Sequence, residues 1–292
     1  MRYSLARLPL QEELFSQDGT RKWLFRLSDA PQETIETVLI PEKHRMTLCL
    51  SSQIGCSLRC RFCRTGIQGF RRNLTSQEIV AQVFSAKDAL RDWDPDSTQR
   101  RLTHIVLMGM GEPLLNAEAV WEALKIFLDS RGGNFSRHKV TVSTVGILSE
   151  LPPLSSFRVP LTISLHAPTE TLRTSLMPIN AQYSLEEIRQ SLQTYPTMSQ
   201  TTKVTVAYLL LKDVNDSHKD AHALRAFLQG LSVKVNLLSF NPWEGAPFAP
   251  SLERTSRAFA QILTHGGIDC FRRRPRGQDI LAACGQLRSG VV

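Results

Sequence analysis

The chain has 292 residues, 42% hydrophobic and 21% charged, an ordinary balance for a globular protein and long enough to bury a large core. No apolar run approaches a membrane span and Met1-Arg2-Tyr3-Ser4 opens no signal peptide, so a cytoplasmic location is expected, with six cysteines serving metal and thiol chemistry and not a disulfide frame. A net charge of +8 favours a polyanionic partner such as RNA.

Two short β-like runs come first, Lys22–Leu27 and Thr37–Ile40, with Asp18-Gly19 as turn chemistry before them. From Met46 onward, strands alternate with helices. Strands are expected at Thr47–Leu50, His104–Met108, Lys139–Val142, Leu161–Ile163, Thr202–Leu210 and Val233–Phe240. Helical periodicity recurs at Thr75–Leu90, Ala117–Ser130, Leu185–Tyr195, Ser217–Gln229 and Leu252–Thr264. Thr75 with Glu78, and Ser184 with Glu187, have the spacing of capping boxes. Such alternation implies an α/β fold, a parallel sheet covered by helices. The economical form is a partial (β/α)6 TIM-like barrel over residues 46–292, ending in a segment that carries Cys284. A short β-rich N-terminal extension, residues 1–45, precedes it.

Three cysteines fall within eight residues, Cys56-Ser57-Leu58-Arg59-Cys60-Arg61-Phe62-Cys63, and no fourth lies nearby. A structural zinc site wants four protein ligands. Three thiolates fit a 4Fe–4S cluster with one iron open to another ligand. Zinc completed from afar by Cys270 or a histidine is the alternative. In α/β barrels the carboxyl ends of the strands carry the site, because the βα loops converge there. Here those ends run into Gly109-Met110-Gly111-Glu112-Pro113, Ser143-Thr144-Val145-Gly146, Ser164-Leu165-His166 and Asn241-Pro242. Glycines let backbone approach a ligand, and Glu112 offers a carboxylate to an amino group. Singly, each reads as well as a turn glycine, a capping serine or a satisfied histidine; together they stand at one barrel face. Arg71-Arg72 and Arg272-Arg273-Arg274-Pro275-Arg276 flank this chemistry, as polyanion contacts or as solvated faces.

On these residues the chain resembles the RlmN/Cfr group of radical S-adenosylmethionine (SAM) RNA methyltransferases, which methylate carbon 2 or carbon 8 of adenosine. The C-x3-C-x2-C spacing is the radical SAM motif. The resemblance runs from about Asp18 to the C-terminus. It rests on Asp18–Leu27, Thr47–Gly69, Met108–Asn116, Ser143–Gly146, Ser164–His166, Leu176–Asn180, Asn241-Pro242 and Asp279–Leu287. Asp18–Leu27 and Ser51–Cys56 look closer to the carbon-2 branch, that of RlmN.

The resemblance implies a radical SAM barrel with one 4Fe–4S cluster on Cys56, Cys60 and Cys63. SAM would serve as both methyl donor and radical source, met by Gly111, Glu112, Ser143, Ser164, Leu165, His166 and Asn241. It further implies that Cys284 takes a methyl group from one SAM, and that a radical from a second SAM removes a hydrogen from it. The methylene radical then adds to adenine, Glu36 takes the ring proton, and Cys49 attacks the Cys284 sulfur to release product through a disulfide. Carbon 2 lies between two ring nitrogens and is too electron-poor to attack SAM's methyl group directly. A thioether-bound product also needs a second sulfur to break it free. Cys270 is read as structural.

Expected partners are RNA, 23S rRNA and/or tRNA, and an electron donor such as flavodoxin or ferredoxin, with the enzyme a monomer. Family members usually carry an N-terminal accessory domain implicated in RNA recognition, and the family-like sequence here begins at about Asp18, which leaves the choice of RNA open. Rival readings are carbon-8 methylation by the same residues, a radical SAM enzyme with a protein or metabolite acceptor, and a zinc-containing RNA-binding protein. The Cys49/Cys284 pair and Glu36 favour methylene transfer. The Gly111-Glu112 and Ser164–His166 loops have no purpose in the zinc reading.

Overall fold

Along each strand the side chains alternate between two unlike surfaces, and this pleat builds the architecture. The computed structural model describes residues 7–93, 101–196 and 203–290. Met1–Ser4 and Thr202, the expected start of one strand, lie outside the described residues.

Strands β1 (Leu10–Phe15), β2 (Arg21–Leu27) and β3 (Ala30–Glu42) form an antiparallel meander leading into β4 (Arg45–Leu50). A small hairpin of β5 (Gln53–Gly55) and β6 (Phe70–Asn73) encloses helix α1 (Arg64–Gln68). Next come α2 (Ser76–Leu90), β7 (His104–Leu107), α3 (Ala117–Leu128), β8 (Val140–Thr144), α4 (Leu151–Ser156) and β9 (Leu161–Ser164). The chain finishes with α5 (Glu170–Leu176), α6 (Leu185–Thr194), β10 (Val204–Leu210), α7 (His218–Leu228), β11 (Val233–Ser239), α8 (Glu253–His265) and β12 (Asp269–Arg273). One ten-stranded sheet runs β1-β2-β3-β4-β7-β8-β9-β10-β11-β12, parallel from β4 onward.

The expected partial barrel is present, and its edges differ from the sequence pattern. β12 adds a parallel strand that periodicity does not announce, because Asp269–Arg273 is exposed along most of its length. β1 escapes for the same reason. Thr37–Ile40 is the middle of the long β3, and the strand expected at Lys139–Val142 starts later because Arg137–Lys139 makes a 3-10 turn. Both capping boxes form, and Ser217 with Asp220 makes another on α7.

Register fixes which residues share a face. Leu48, Leu50, Ile105, Leu107, Val142, Ile163, Val206 and Val235 are buried on one face. Tyr208, on that face, meets Phe259 of α8 with ring centroids 5.2 Å apart, so this is the helix-covered side. Cross-strand pairs carry Lys22, Val38, Cys49, Val106, Thr141 and Ser143, then Thr162, Thr205 and Asn236, on the opposite face. This mostly polar face lines the barrel interior. Strands β1 and β12 are the edges of the sheet. The C-terminal segment bridges them: Asp279 accepts from Ser16 Oγ at 2.6 Å and from Gln17 N at 3.0 Å, and Gly277 N donates to Asp18 at 3.0 Å. Gly277 has φ +64, and a Cβ there would meet Thr20 at 2.9 Å. Among the described residues no helix is long and apolar enough to cross a membrane.

One buried amide anchors the barrel to the site. Gln82 of α2 accepts from Thr37 Oγ1 at 2.7 Å and from Ser51 N at 2.9 Å, and donates to Ser51 O at 2.9 Å. It pairs with Ser51 as a neighbouring strand would, where β4 gives way to the cysteine loop. Ser51 Oγ in turn donates to Glu36 O at 2.6 Å and accepts from Met110 N at 3.0 Å. Gln82→Leu leaves these buried groups unpaired and is expected to lower stability by about 3 kcal/mol, read as a fall in the urea midpoint.

Candidate active site

The cysteine loop hangs between β5 and α1. Cys56 N donates to Gly69 O at 2.9 Å, closing the hairpin, and Gly55 (φ +71) leaves no room for a Cβ, which would lie 1.8 Å from that carbonyl. Farther along, Arg61 N donates to Leu176 O at 3.0 Å, and the Phe62 ring meets His166 edge-on at 4.9 Å. The loop is therefore held by α5 and by the end of β9. Cys56 and Cys60 are buried and Cys63 half-buried, all with free thiols. Burial pushes Cys56 up to about 12 and raises Cys60 and Cys63, with Cys63 and Cys56 adding to the effect on Cys60.

Among the described residues no three Cys, His, Asp or Glu side chains gather as ligands to one metal ion. A 4Fe–4S cluster asks for something different, one thiolate on each of three irons. Three soft sulfur donors on one pinned loop fit that demand, and bound iron reverses the effect of burial by holding each sulfur as thiolate. Cys270 does not join them. It pairs with Val235 on the helix-covered side of the sheet.

Strand-end loops face the cysteine loop. Glu112 Oε1 accepts from Leu114 N at 3.0 Å and Oε2 from Val145 N at 2.9 Å, while Glu112 N donates to Gln53 Oε1 at 2.9 Å. Burial raises its carboxyl to about 7, against the pull of hydrogen bonds from Thr144, Val145 and Leu114. A carboxylate has about four acceptor positions, so capacity is left for an incoming amine. Ser143 and Ser164 are half-buried on the inner face. Leu165 lies in the core, and its amide donates to Ala207 O at 3.0 Å. His166 is buried with φ 60, and its Nδ1 accepts from Leu209 N at 3.1 Å, which leaves the proton on Nε2. Burial, with Arg173 adding to it, holds the imidazole down to about 3 and therefore neutral.

The C-terminal segment brings in Cys284. Asn241 Nδ2 donates to Cys284 O at 3.1 Å, and Asn241 Oδ1 accepts from Gln278 at 2.7 Å. Arg64 N donates to Gly285 O at 2.9 Å, and Gln68 exchanges bonds of 2.7 and 2.8 Å with the Ser289 backbone. Cys284 is solvent-accessible yet surrounded by protein atoms: burial raises its thiol, and Cys63 raises it further. Cys49, buried on β4, is raised by burial and by Cys284. Both sulfurs are free thiols within electrostatic reach of each other.

Glu36 completes the group. Its Oε1 pairs with Lys22 Nζ at 2.8 Å, both side chains nearly inaccessible, and its Oε2 accepts from Arg288 N at 3.0 Å. Lys22 Nζ also donates to Leu281 O at 3.3 Å. Burial raises the Glu36 carboxyl above its usual value, opposed by Lys22. Sequence reasoning passes over Lys22, although a lysine beside Trp23, Leu24 and Phe25 in a half-buried strand is itself a signal. Thus Cys49, Cys284, Glu36 and the cysteine loop are brought together, and Asn241 meets Cys284 itself.

Lys22→Met removes the cation that restrains Glu36, so the folded carboxyl titrates higher still. Above the unfolded glutamate value, near 4.5, the unfolded chain then binds fewer protons than the folded one, and stability falls as pH rises. The variant is expected to lose more stability than the parent between about pH 5 and about pH 8. Urea denaturation at both pH values checks this, and equal losses refute it.

Residues 50–225 match the radical SAM superfamily profile. The chain is 47% identical over 289 residues to the dual-specificity RNA methyltransferase RlmN of Caulobacter vibrioides, spanning 98% of this chain and 71% of that protein. Against RlmN of Azorhizobium caulinodans it is 46% identical over 302 residues, spanning 98% and 74%. The crystal structure of a radical SAM methyltransferase from Sphaerobacter thermophilus superposes with a TM-score of 0.90 at 42% identity, covering 96% of this chain and 81% of that one. The chain belongs to the radical SAM superfamily and, within it, to the RlmN family of RNA methyltransferases.

Proposed function

We propose that this enzyme methylates carbon 2 of adenosine in RNA, 23S rRNA and/or tRNA, through a methyl group carried on Cys284. One observation carries the reading: the C-terminal segment joins Cys284 to the cysteine loop, to Cys49 and to the Glu36–Lys22 pair at once. RNA as substrate follows relatives named RNA methyltransferase.

Bound on Cys56, Cys60 and Cys63, a 4Fe–4S cluster with SAM supplies a methyl group and a carbon-centred radical. Glu112, in the turn made possible by Gly111, would hold SAM's amine, with Ser143, Ser164, Leu165, His166 and Asn241 around the rest. Cys284 holds the one-carbon unit as a thioether, and that carbon, after losing a hydrogen atom, bonds to carbon 2 of adenine. The adduct would surrender one electron to the oxidised cluster, the one acceptor the site would hold, and Glu36 takes the displaced ring proton, its raised carboxyl making it a stronger base than an exposed glutamate. Lys22, at 2.8 Å, favours the charged form of Glu36 against the pull of burial. Cys49 then attacks the Cys284 sulfur. An S–S bond forms and the S–C bond breaks, its electron pair staying on the carbon, which takes a proton to become the methyl group. A reductant must reopen the disulfide before the next turnover.

Cys284→Ala is expected to abolish methylation with no protein–RNA adduct. Cys49→Ala should instead trap that adduct, visible as a band of retarded mobility on a denaturing gel; unchanged turnover would remove Cys49 from the resolving role. The deciding experiment reconstitutes the protein anaerobically and adds SAM, a reductant and RNA from a strain lacking its own carbon-2 methyltransferase. Mass spectrometry of the digested RNA is expected to find 2-methyladenosine. Finding 8-methyladenosine would move the acceptor carbon, and 5′-deoxyadenosine without methylated RNA would move the substrate elsewhere.

A further inference from the structure

Arg173, in α5, is fully buried at 0% exposure, an unusual setting for a guanidinium. Its hydrogen-bond partners are all uncharged. Nε donates to Leu165 O at 3.3 Å, Nη1 to Asn180 Oδ1 at 2.7 Å and Tyr183 O at 3.3 Å, and Nη2 to Val145 O at 2.7 Å. Four of five N–H groups are thereby engaged, and among the described residues no carboxylate stands within salt-bridge distance. The nearest candidate, Glu170, is occupied: its Oε1 accepts from Leu185 N at 2.7 Å and its Oε2 from Asn180 Nδ2 at 2.7 Å. Asn180 thus stands between the two charges, donating to one and accepting from the other.

A buried cation without an adjacent anion is strongly destabilising, so the position asks for a compensating negative charge. Besides Glu170, the group within electrostatic reach is Cys60. The helix carrying Arg173 also holds the cysteine loop directly, through Arg61 N and Leu176 O at 3.0 Å. Arg173 therefore sits behind the loop, fully buried and fixed by the carbonyls of Val145 and Leu165 at the ends of β8 and β9.

We propose that Arg173 is the fixed counter-charge of the iron–sulfur cluster, raising its reduction potential. It is a positioning residue, acting through the cysteine loop. The inference rests on the reading of Cys56, Cys60 and Cys63 as cluster ligands. Reduction adds one negative charge to a cluster already bound by three thiolates, and a neighbouring cation favours the reduced form. The same guanidinium links the loops after β8 and β9, so charge and bracing must be told apart.

The test is an anaerobic redox titration of the reconstituted full chain, followed by electron paramagnetic resonance, for the parent, Arg173→Gln and Arg173→Lys. Gln keeps hydrogen-bonding capacity and removes the charge; Lys keeps the charge and loses the planar fork. The expected result is a more negative midpoint for Arg173→Gln, with about tenfold less reduced cluster at fixed poise, about 59 mV for one electron, while Arg173→Lys stays near the parent. Retention of the cluster by Arg173→Lys but not by Arg173→Gln would support the same conclusion. An unchanged midpoint in a fully loaded Arg173→Gln overturns it, as does equal loss of cluster from both variants, which would make the residue a brace. A parent chain that takes up no iron and sulfide overturns the reading of the cysteine loop itself, and is told apart because it precedes any variant.

Discussion

The Lys22–Glu36 ion pair is the contact on which the site depends. It joins neighbouring strands on the inner face, and each partner reaches one end of the same stretch of chain: Lys22 to the carbonyl of Leu281, Glu36 to the amide of Arg288. Cys284 lies between those two points. A buried pair of this kind is weak evidence for stability, because desolvation consumes most of the Coulombic gain. Its worth is directional. Two buried charges accept only partners with the right geometry, and those partners here are the backbone groups that flank Cys284.

Burial governs the protonation of the sulfur groups. The thiols of Cys49, Cys56, Cys60, Cys63 and Cys284 are all raised, chiefly by burial, so without metal none is disposed to ionise. Only a group that stabilises negative sulfur makes thiolates of them, and bound iron would do that for the three on the loop. In the proposed reaction, the raised thiols of Cys49 and Cys284 would keep a pair of neighbouring sulfurs from joining prematurely. His166 is kept neutral by the same burial and acts as packing for Phe62 and as a hydrogen-bond acceptor for β10.

Much of this was legible in the sequence, and what escaped shares one character. The cysteine loop, the strand-end glycines and the capping boxes are local: spacing alone places three thiols on one loop or a hydroxyl before a helix. Even the inward faces of β8 and β9 follow from counting by twos. Gln82, Lys22 and Arg173 do not show themselves this way, because each acts through partners far away in the chain or through burial that no single strand or helix reveals. Gln82 looks like an ordinary helical polar residue until Thr37 and Ser51 are set against it. β12 is hidden for the opposite reason: as an edge strand it is too exposed to carry an apolar pattern. Asn241 was marked by its place at a strand end, but its bonds to Cys284 and Gln278 belong to tertiary structure.

The segment spanning residues 277–290 has a consequence for how the molecule comes into being. Its bonds join Asp279 to Ser16 across 263 positions and Arg288 to Glu36 across 252. Closures of that span are slow, since nearly the whole chain must be ordered before they are rewarded. During synthesis the barrel strands can pair in succession, each on the one before, while Glu36 and Lys22 wait without the groups that will hold them in register with Cys284. The surroundings of Cys284 are therefore assembled last, and a ribosome still translating the final strand carries a barrel that lacks them.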